Sequence, residues 1–371
     1  MSGSTFGTNF KITTWGESHG AGIGAVVDGC PAGLSLSEED VQKYLDRRKP
    51  GQSKFTTPRK ESDTVTILSG VFEGKTTGSP ISMMIANQNQ RSADYSEIAS
   101  YYRPGHADYT FDKKYGFRDY RGGGRSSARE TAGRVAAGAI AAKLLQSLNI
   151  HFTTYVKSIG PISIDFNRFD VSQISQNALN MPDALAAEQA QEYLKKCIKE
   201  QNSSGGIIEC VIKGVPAGIG EPVFDKLDAC LAKAIFSIGA VKGFEIGSGF
   251  ESAKSTGIEN NDAFFYDKDG RIRKETNHAG GILGGISDGS EIVFRAAFKP
   301  TPSIIAPQHT VNRDGENITV QIKGRHDPVI VPRAVVVVEC MAALTVVDLL
   351  LANMGAKCNT MQDLYHHIDT P

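Results

Sequence analysis

Apolar and polar positions along the first part of the chain predict a helix and then a strand. Residues 37–51 begin with a capping-box pattern, Ser37 followed by Asp40, and end at Pro50–Gly51, which stops a helix. Residues 64–70, TVTILSG, alternate apolar and polar side chains, as half-buried strands do. The helix is predicted to end among basic side chains.

The clearest helical pattern covers residues 125–149. Ser127 and Glu130 form the S-x-x-E pattern of a capping box, and the residues after them are dense in alanine and glycine. Because these side chains are small, the helix is predicted to pack closely against neighbours on both sides.

The longest apolar run, residues 334–354, contains two acidic residues, Glu339 and Asp348. Charges are unfavourable at membrane depth, so this run is predicted to form a buried helix and not a membrane span. The first 15 residues lack a basic start followed by an apolar core, and we therefore expect no secretory signal there.

A weak internal repeat relates the two halves of the chain. Residues 26–45 and 211–231 both read as a strand, a PAG turn and a helix, and later segments echo each other at similar offsets. Because no linker-like stretch separates the halves, we predict one domain over residues 1–371, with pseudo-equivalent halves of about 1–185 and 186–371 around a shared core. The loops before the two long helices should then face each other.

Composition limits the classes of function. The 371 residues are 40% hydrophobic, which is enough for a large core, and 40 basic against 41 acidic residues give a net charge of -1. Nucleic-acid-binding domains usually carry a basic excess, so the chain is not predicted to bind nucleic acid. The 6 cysteines are scattered without C-x-x-C spacing, which predicts neither a zinc site nor disulfides and favours a reducing cytoplasm.

The segment from residue 103 to residue 134 is rich in arginine. Arg121 and Arg125 flank the glycine run Gly122–Gly124 just before the predicted helix. Backbone amides at a helix N-terminus and arginine side chains both bind phosphate well. The sequence therefore predicts a phosphate site here in preference to a solvated charged surface.

Two glycine-rich stretches do not fit nucleotide-binding motifs. Residues 69–78 place too few residues between Gly70 and Gly74 for the Walker pattern, and Pro80 follows where a helix should run. We predict a hairpin turn there. Residues 20–24, GAGIG, lack the full G-x-G-x-x-G of a Rossmann fold.

Three of the 8 histidines, His19, His106 and His326, lie in loops rich in glycine, serine, arginine or aspartate. Their spacing matches no zinc motif, and histidine transfers protons readily near neutral pH. General acid chemistry is therefore favoured over a metal site. Ser18 beside His19 belongs to the same turn.

Residues 279–289 and 298–304 could form a second contact with a ligand. Glycine pairs let a backbone approach a flat ligand closely, and Lys299 with Thr301 and Ser303 could contact a phosphate. A hairpin with prolines in its loop explains the same residues, and both interpretations stay open.

Six unusual motifs occur in order over nearly the whole chain: GESHG, RPGHAD, RSSARET, GGILGG, FKPTPS and GRHDP. Together they closely resemble the chorismate synthase family. The resemblance implies conversion of 5-enolpyruvylshikimate 3-phosphate to chorismate by a 1,4-anti elimination of phosphate, with reduced FMN and no net redox change. The implied fold is an α/β single-domain sandwich of two antiparallel sheets around a helical layer.

The resemblance also implies a homotetramer in the cytoplasm, an association with NADP, and no nucleic-acid or membrane partner. The chain lacks the long insertions of the fungal members that reduce their own flavin, which predicts an external flavin reductase.

The resemblance assigns roles to individual residues. The implied catalytic residues are His19 (proton to the leaving phosphate), His106 (reduced flavin), Asp327 (proton relay at flavin N5) and Ser18. The implied flavin-binding residues are Arg125, Ser126, Ser127, Gly239, Ala240, Gly284, Lys299, Pro300, Thr301, Pro302, Ser303 and Arg325. The implied substrate-binding residues are Arg48, Lys54, Arg103, Arg129 and Arg134, and no metal is implied.

Two positions depart from the family pattern. Lys54 stands where members often have arginine, which keeps the charge but loses the two-pronged donor, and Val329 stands where many have cysteine. A flavin-independent phosphate-ester hydrolase is the alternative function, and a phosphometabolite-binding protein without turnover is a third.

Overall fold

Two five-stranded antiparallel sheets enclose a layer of helices. A computed structural model describes residues 3–51, 55, 61–87, 97–322 and 327–366. The strands are β1 (Thr5–Phe6), β2 (Lys11–Gly16), β3 (Gly22–Asp28), β4 (Val65–Ile67), β5 (Val71–Phe72), β6 (Lys75–Thr76), β7 (Ile81–Ala86), β8 (His151–Ile159), β9 (Ile162–Ser163), β10 (Gly206–Lys213), β11 (Val241–Ile246), β12 (Phe264–Tyr266), β13 (Ile272–Lys274), β14 (Ile282–Leu283), β15 (Ile286–Ser287), β16 (Ile292–Phe298), β17 (Gln308–Val311) and β18 (Asn317–Val320). The helices are α1 (Glu38–Arg48), α2 (Asp108–Tyr115), α3 (Thr131–Ser147), α4 (Gln173–Gln176), α5 (Ala184–Lys199), α6 (Leu227–Phe236), α7 (Gly257–Asn260), α8 (Val331–Asn353) and α9 (Cys358–His366).

The first sheet has the strand order β1-β2-β3-β7-β4, and the second has the order β11-β16-β10-β8-β9. Side chains of β2 and β16 alternate between buried and more exposed positions, because one face of each sheet covers the helices. The remaining strands form short two-stranded hairpins, among them the predicted turn at residues 69–78, which β5 and β6 build.

The helices α3 and α8 form the centre of the layer and pack on each other. Helix α3 lies against the first sheet and α8 against the second, while α1 and α6 flank them. Most residues of both central helices are buried, as expected for helices that are apolar on most of their surface. By length and composition α8 could cross a membrane, but 78% of its most apolar stretch is buried in the fold. The predicted sandwich and the predicted buried helix are both confirmed.

Each half of the chain adds one long buried helix to this layer. The first sheet comes from residues 5–86, whereas the second combines β8 and β9 of the first half with β10, β11 and β16 of the second half. The division into pseudo-equivalent halves stays a prediction.

One predicted capping box is present and the other is wrong. Ser37 and Asp40 form the box that starts α1. Before α3, the chain instead makes two short 3₁₀ turns, and the Ser127 side chain accepts a hydrogen bond from the backbone of Arg129. The Glu130 carboxylate points away from Ser127, because it binds Thr14 and Arg134.

Glycine is required where α3 crosses α8. A Cβ added to Gly138 would overlap the Cβ of Cys340 and lie 2.8 Å from its Cα. We expect Gly138→Ala to destabilise the fold by about 1–3 kcal/mol, because the helices must separate to accept one methyl group. Urea denaturation measures this. Gly355→Ala is the matched control, since a Cβ there meets no atom within 4 Å, and equal effects of the two substitutions would contradict the prediction.

Candidate active site

A cavity of about 580 Å³ opens beside the N-terminal ends of α3 and α8. Residues just before both helices line it, among them Gly123 and Arg125 before α3 and Asp327 and Ile330 before α8. The residues that the sequence assigned to a site and that line this cavity are Arg48, Arg103, His106, Arg125, Ser126, Ser127, Arg134, Gly239, Ala240, Lys299, Thr301, Pro302, Ser303 and Asp327.

A buried carboxylate organises the arginines at the start of α3. Arg134 donates to Oε2 of Glu130 at 2.7 Å, and Thr14 donates to Oε1 at 2.7 Å. The same Thr14 hydroxyl accepts a hydrogen bond from Nη2 of Arg125 at 2.6 Å. Glu130 therefore fixes one guanidinium directly and a second one through a hydroxyl group.

A second buried carboxylate, Asp63, bridges two more arginines. Its side chain is fully buried, and it binds Arg48 with one oxygen and Arg129 with the other. Burial alone would raise the pKa of Asp63, but the two guanidinium groups hold it below the ordinary value. Burial also lowers the pKa of Arg48 to about 10, against the attraction of Asp63. The group is a compact cluster with a net positive charge.

Two cross-links join loops that are distant in sequence at the cavity wall. Nε2 of His106 lies 2.7 Å from Oγ of Ser303, and Nζ of Lys299 donates to the backbone oxygen of Gly105 at 2.8 Å. Burial, and then repulsion from Lys242, lower the pKa of Lys299. The loop that carries His106 is thus attached to the loop after β16.

Arg103 lies on the same wall, held by the first turn of α2. It forms two side-chain hydrogen bonds with Asp108, at 2.7 and 2.8 Å. Burial would raise the pKa of Asp108, but Arg103 and then Arg118 lower it. The carboxylate therefore stays ionised and holds Arg103 at the cavity.

Ser18 and His19 line an adjoining cavity of about 330 Å³. Oγ of Ser18 and Nδ1 of His19 are 3.1 Å apart. The glycine run approaches them so closely that a Cβ on Gly122 would overlap the His19 ring. The two cavities meet at Gly123 and Arg125, so the predicted proton donor lies next to the arginine wall.

Several predicted site residues lie elsewhere. Gly284 is in the turn between β14 and β15, where its φ of +61° suits glycine, and it lines neither of the two cavities. Arg129 points toward Asp63 and Asn87 and does not line the larger cavity. Pro300 belongs to the wall loop without lining the cavity, whereas Lys54 and Arg325, with His326, are outside the described residues.

Three polar residues of the site were missed by the sequence analysis: Asp63, Glu130 and Arg333. Glu130 was assigned to a helix cap, and Arg333, which directly precedes the apolar run of residues 334–354, was given no role. A charged side chain at the edge of an apolar run was the available signal for Arg333. Asp63 carries no local signal, since its partners lie on other elements.

Comparisons with known proteins agree with this site. The family model for chorismate synthase matches residues 10–351. The chain belongs to the chorismate synthase family. The chorismate synthase of Lachnoclostridium phytofermentans is 71% identical over 365 residues, covering 98% of this chain and 100% of that protein. That of Agathobacter rectalis is 68% identical and covers 98% of this chain and 99% of its own. A crystal structure of chorismate synthase is 32% identical, with a TM-score of 0.77, and covers 98% of this chain and 99% of that chain.

As a member of the chorismate synthase family, the chain is a lyase that acts on a phosphate ester in aromatic biosynthesis. Membership implies 5-enolpyruvylshikimate 3-phosphate as substrate and a flavin as cofactor. The alternative of a flavin-independent phosphate-ester hydrolase is not supported by these comparisons.

The larger cavity has features that fit a chorismate synthase flavin. Oγ1 of Thr301 is buried without a hydrogen-bond partner among the described residues, which leaves it available to a ligand. A Cβ on Gly239 would meet no atom within 4 Å, so the backbone there leaves open space. Ile238 and Phe298 add apolar surface for a flat ring, and Arg125 adds positive charge for a phosphate.

Proposed function

We propose that the two adjoining cavities bind reduced FMN and 5-enolpyruvylshikimate 3-phosphate together, and that phosphate leaves by a 1,4-anti elimination without net redox change. The observation that carries the proposal is the convergence of Arg125, Lys299, His106 and Asp327 on one cavity, next to His19. Two anionic ligands in one site need cationic walls and few unpaired carboxylates. Glu130 and Asp327, the described carboxylates that line the larger cavity, are each paired with arginine.

Reduced FMN, if bound there, would supply transient electron density to the substrate, which helps phosphate to leave, and an acceptor at N5 for the hydrogen lost from C6. The chain would hold it with residues from three segments of the cavity wall: Arg125, Ser126 and Ser127; Gly239 and Ala240; and the loop from Lys299 through Pro300, Thr301 and Pro302 to Ser303. Gly284 and Arg325 belong to this set only by resemblance.

His19, assisted by Ser18, would protonate the leaving phosphate. Histidine suits this role because it exchanges protons near neutral pH. His106 would stabilise or protonate the reduced flavin, and its 2.7 Å contact with Ser303 fixes the ring orientation. Asp327 would relay the proton at flavin N5 from its position on the cavity wall.

Arg48, Arg103 and Arg134, which line the larger cavity, would meet the substrate's charges. Arg129, which lines neither cavity, and Lys54 belong to this set only by resemblance. Arg48 binds Asp63, Ala128 and Thr131, so it contributes a positive field and not a free two-pronged donor. Nη1 of Arg134 donates to Ser237 at 2.6 Å and Nε donates to Glu130, so that within the described part of the chain Nη2 is left for a ligand.

The assembly and the cellular context are part of the same proposal. We infer a cytoplasmic homotetramer that receives reduced FMN from an external flavin reductase, with NADP as the associated nucleotide, and that has no nucleic-acid or membrane partner. Size-exclusion chromatography with light scattering measures the assembly directly.

Anaerobic turnover of 5-enolpyruvylshikimate 3-phosphate tests the proposed reaction. The purified protein is assayed with and without chemically reduced FMN, while chorismate absorbance and free phosphate are followed together. We expect equal amounts of both products, and only with reduced FMN. Release of phosphate without chorismate, or release of phosphate at the same rate with and without reduced FMN, would reject the elimination.

A further inference from the structure

Arg333 occupies an unfavourable position in the fold. It lies in the first turn of α8, where the positive end of the helix dipole disfavours a cation. Only 14% of its side chain is exposed. A second cation, Arg48, lies beside it, and the charge of Arg333 contributes to lowering the pKa of that arginine. An arginine that opposes local stability in this way calls for a functional reason.

The hydrogen bonds of Arg333 connect two parts of the site. Nη1 donates to Oδ2 of Asp327 at 2.8 Å, and Nε donates to the backbone oxygen of Arg48 at 3.2 Å. Arg48 is the last residue of α1, so the guanidinium links the Asp327 carboxylate to the end of a different helix. All three residues line the larger cavity.

The backbone next to Asp327 offers its carboxylate little support. The following residue is Pro328, whose nitrogen carries no hydrogen and cannot donate a hydrogen bond. The Asp327 side chain makes an ion pair with Arg333 in the described part of the chain. A proton relay must hold its carboxylate in one geometry, since small displacements of a reacting group lower the rate steeply.

We propose that Arg333 is a positioning residue of the elimination, which holds the Asp327 carboxylate at the cavity wall and ties it to the end of α1. The inference rests on the proposed role of Asp327 as the relay. Arg333 acts through Asp327, so its removal should lower kcat more than it changes the KM of the substrate.

A double-mutant cycle tests this action. We expect Arg333→Gln to lower kcat about 10-fold to 100-fold, with KM within about threefold of wild type. Arg333→Lys keeps the positive charge but loses the two-pronged guanidinium donor, so its kcat should lie between those of the wild type and of Arg333→Gln. In an Asp327→Asn background, Arg333→Gln should add less than about threefold, because the group it positions is already absent. The proposal would be overturned if the kcat losses of Arg333→Gln and Asp327→Asn multiplied in the double variant. A kcat of Arg333→Gln within about twofold of wild type would also overturn it.

The matched control is Arg47→Gln. Arg47 also joins α1 to α8 by a two-pronged ion pair, to Glu339 at 2.7 and 2.8 Å, but it does not line the larger cavity. Arg47→Gln should therefore lower the melting temperature and leave kcat unchanged. A similar kcat loss in both variants would assign Arg333 to general stability and overturn the proposal.

Crystal structures of the wild type and of Arg333→Gln give a readout that needs no turnover. The Asp327 carboxylate should adopt one conformer in the wild type and a different or divided one in the variant. An unchanged Asp327 would overturn the inference whatever the kinetics. A wild type that makes no chorismate would instead reject the proposed function, and the two structures would still decide whether Arg333 positions Asp327.

Discussion

Asp63→Ala should lower the free energy of unfolding by about 3–5 kcal/mol, because it leaves two buried guanidinium groups without their shared carboxylate. The exposed fractions of the Arg48 and Arg129 side chains are only 2% and 8%, so water cannot replace the lost partner. Urea denaturation followed by circular dichroism gives the measurement. A loss below about 1 kcal/mol would show that the arginines find other partners.

The control for this substitution is Glu192→Ala. Glu192 pairs with Lys195 on α5, and about half or more of each side chain is exposed. Exposed pairs contribute little, and we expect a change below about 1 kcal/mol.

Acidification should distinguish Asp63→Asn from the wild type. The pKa of Asp63 is lowered in the folded protein, so its ionised form stabilises the fold above the unfolded pKa of about 3.9. That contribution disappears as the pH falls through the lowered pKa. The variant lacks it at every pH, and its stability should therefore decline less steeply in acid.

His19→Ala should lower kcat by about 10²-fold to 10⁴-fold, the usual contribution of a general acid. The loss is expected because the departing phosphate would have no positioned proton donor. Ser18→Ala should lose less, because the ring keeps its place beside the glycine run while losing the Oγ contact at 3.1 Å. Steady-state kinetics under anaerobic conditions with reduced FMN measure both variants.

His151→Ala is the matched control for His19→Ala. His151 is exposed at the start of β8 and lines neither cavity, so its removal should leave kcat unchanged. If His19→Ala kept more than about a tenth of the wild-type kcat, the proton would have to come from another group.

Local patterns in the sequence predicted the elements well where neighbouring residues determine them. The capping box of Ser37 and Asp40 and the buried α8 were both confirmed. Glu130 shows where such reasoning fails. Its spacing from Ser127 fits a cap, but a carboxylate gains more from a buried arginine and a hydroxyl than from one backbone amide, and Thr14 lies 116 positions away.

The residues of the candidate site likewise divide into those that the sequence predicted and those that it could not predict. Family-like motifs indicated His19, His106 and the loop from Lys299 to Ser303, and the structure brings them to adjoining cavities. The carboxylates that orient the arginines could not be predicted. Asp63 reaches Arg48 and Arg129 only after three separate segments have packed, and no spacing along the chain records that contact.

The crossing of α3 and α8 also bears on how the chain is synthesised. Helix α3 is buried on nearly all sides, yet the helix that covers it comes from residues 331–353. While the ribosome is still translating the second sheet, the first sheet and α1 can cover part of α3, but the face of α3 that contacts α8 lacks its partner. Closure of the core must therefore await the release of α8, and until then this surface is exposed to aggregation.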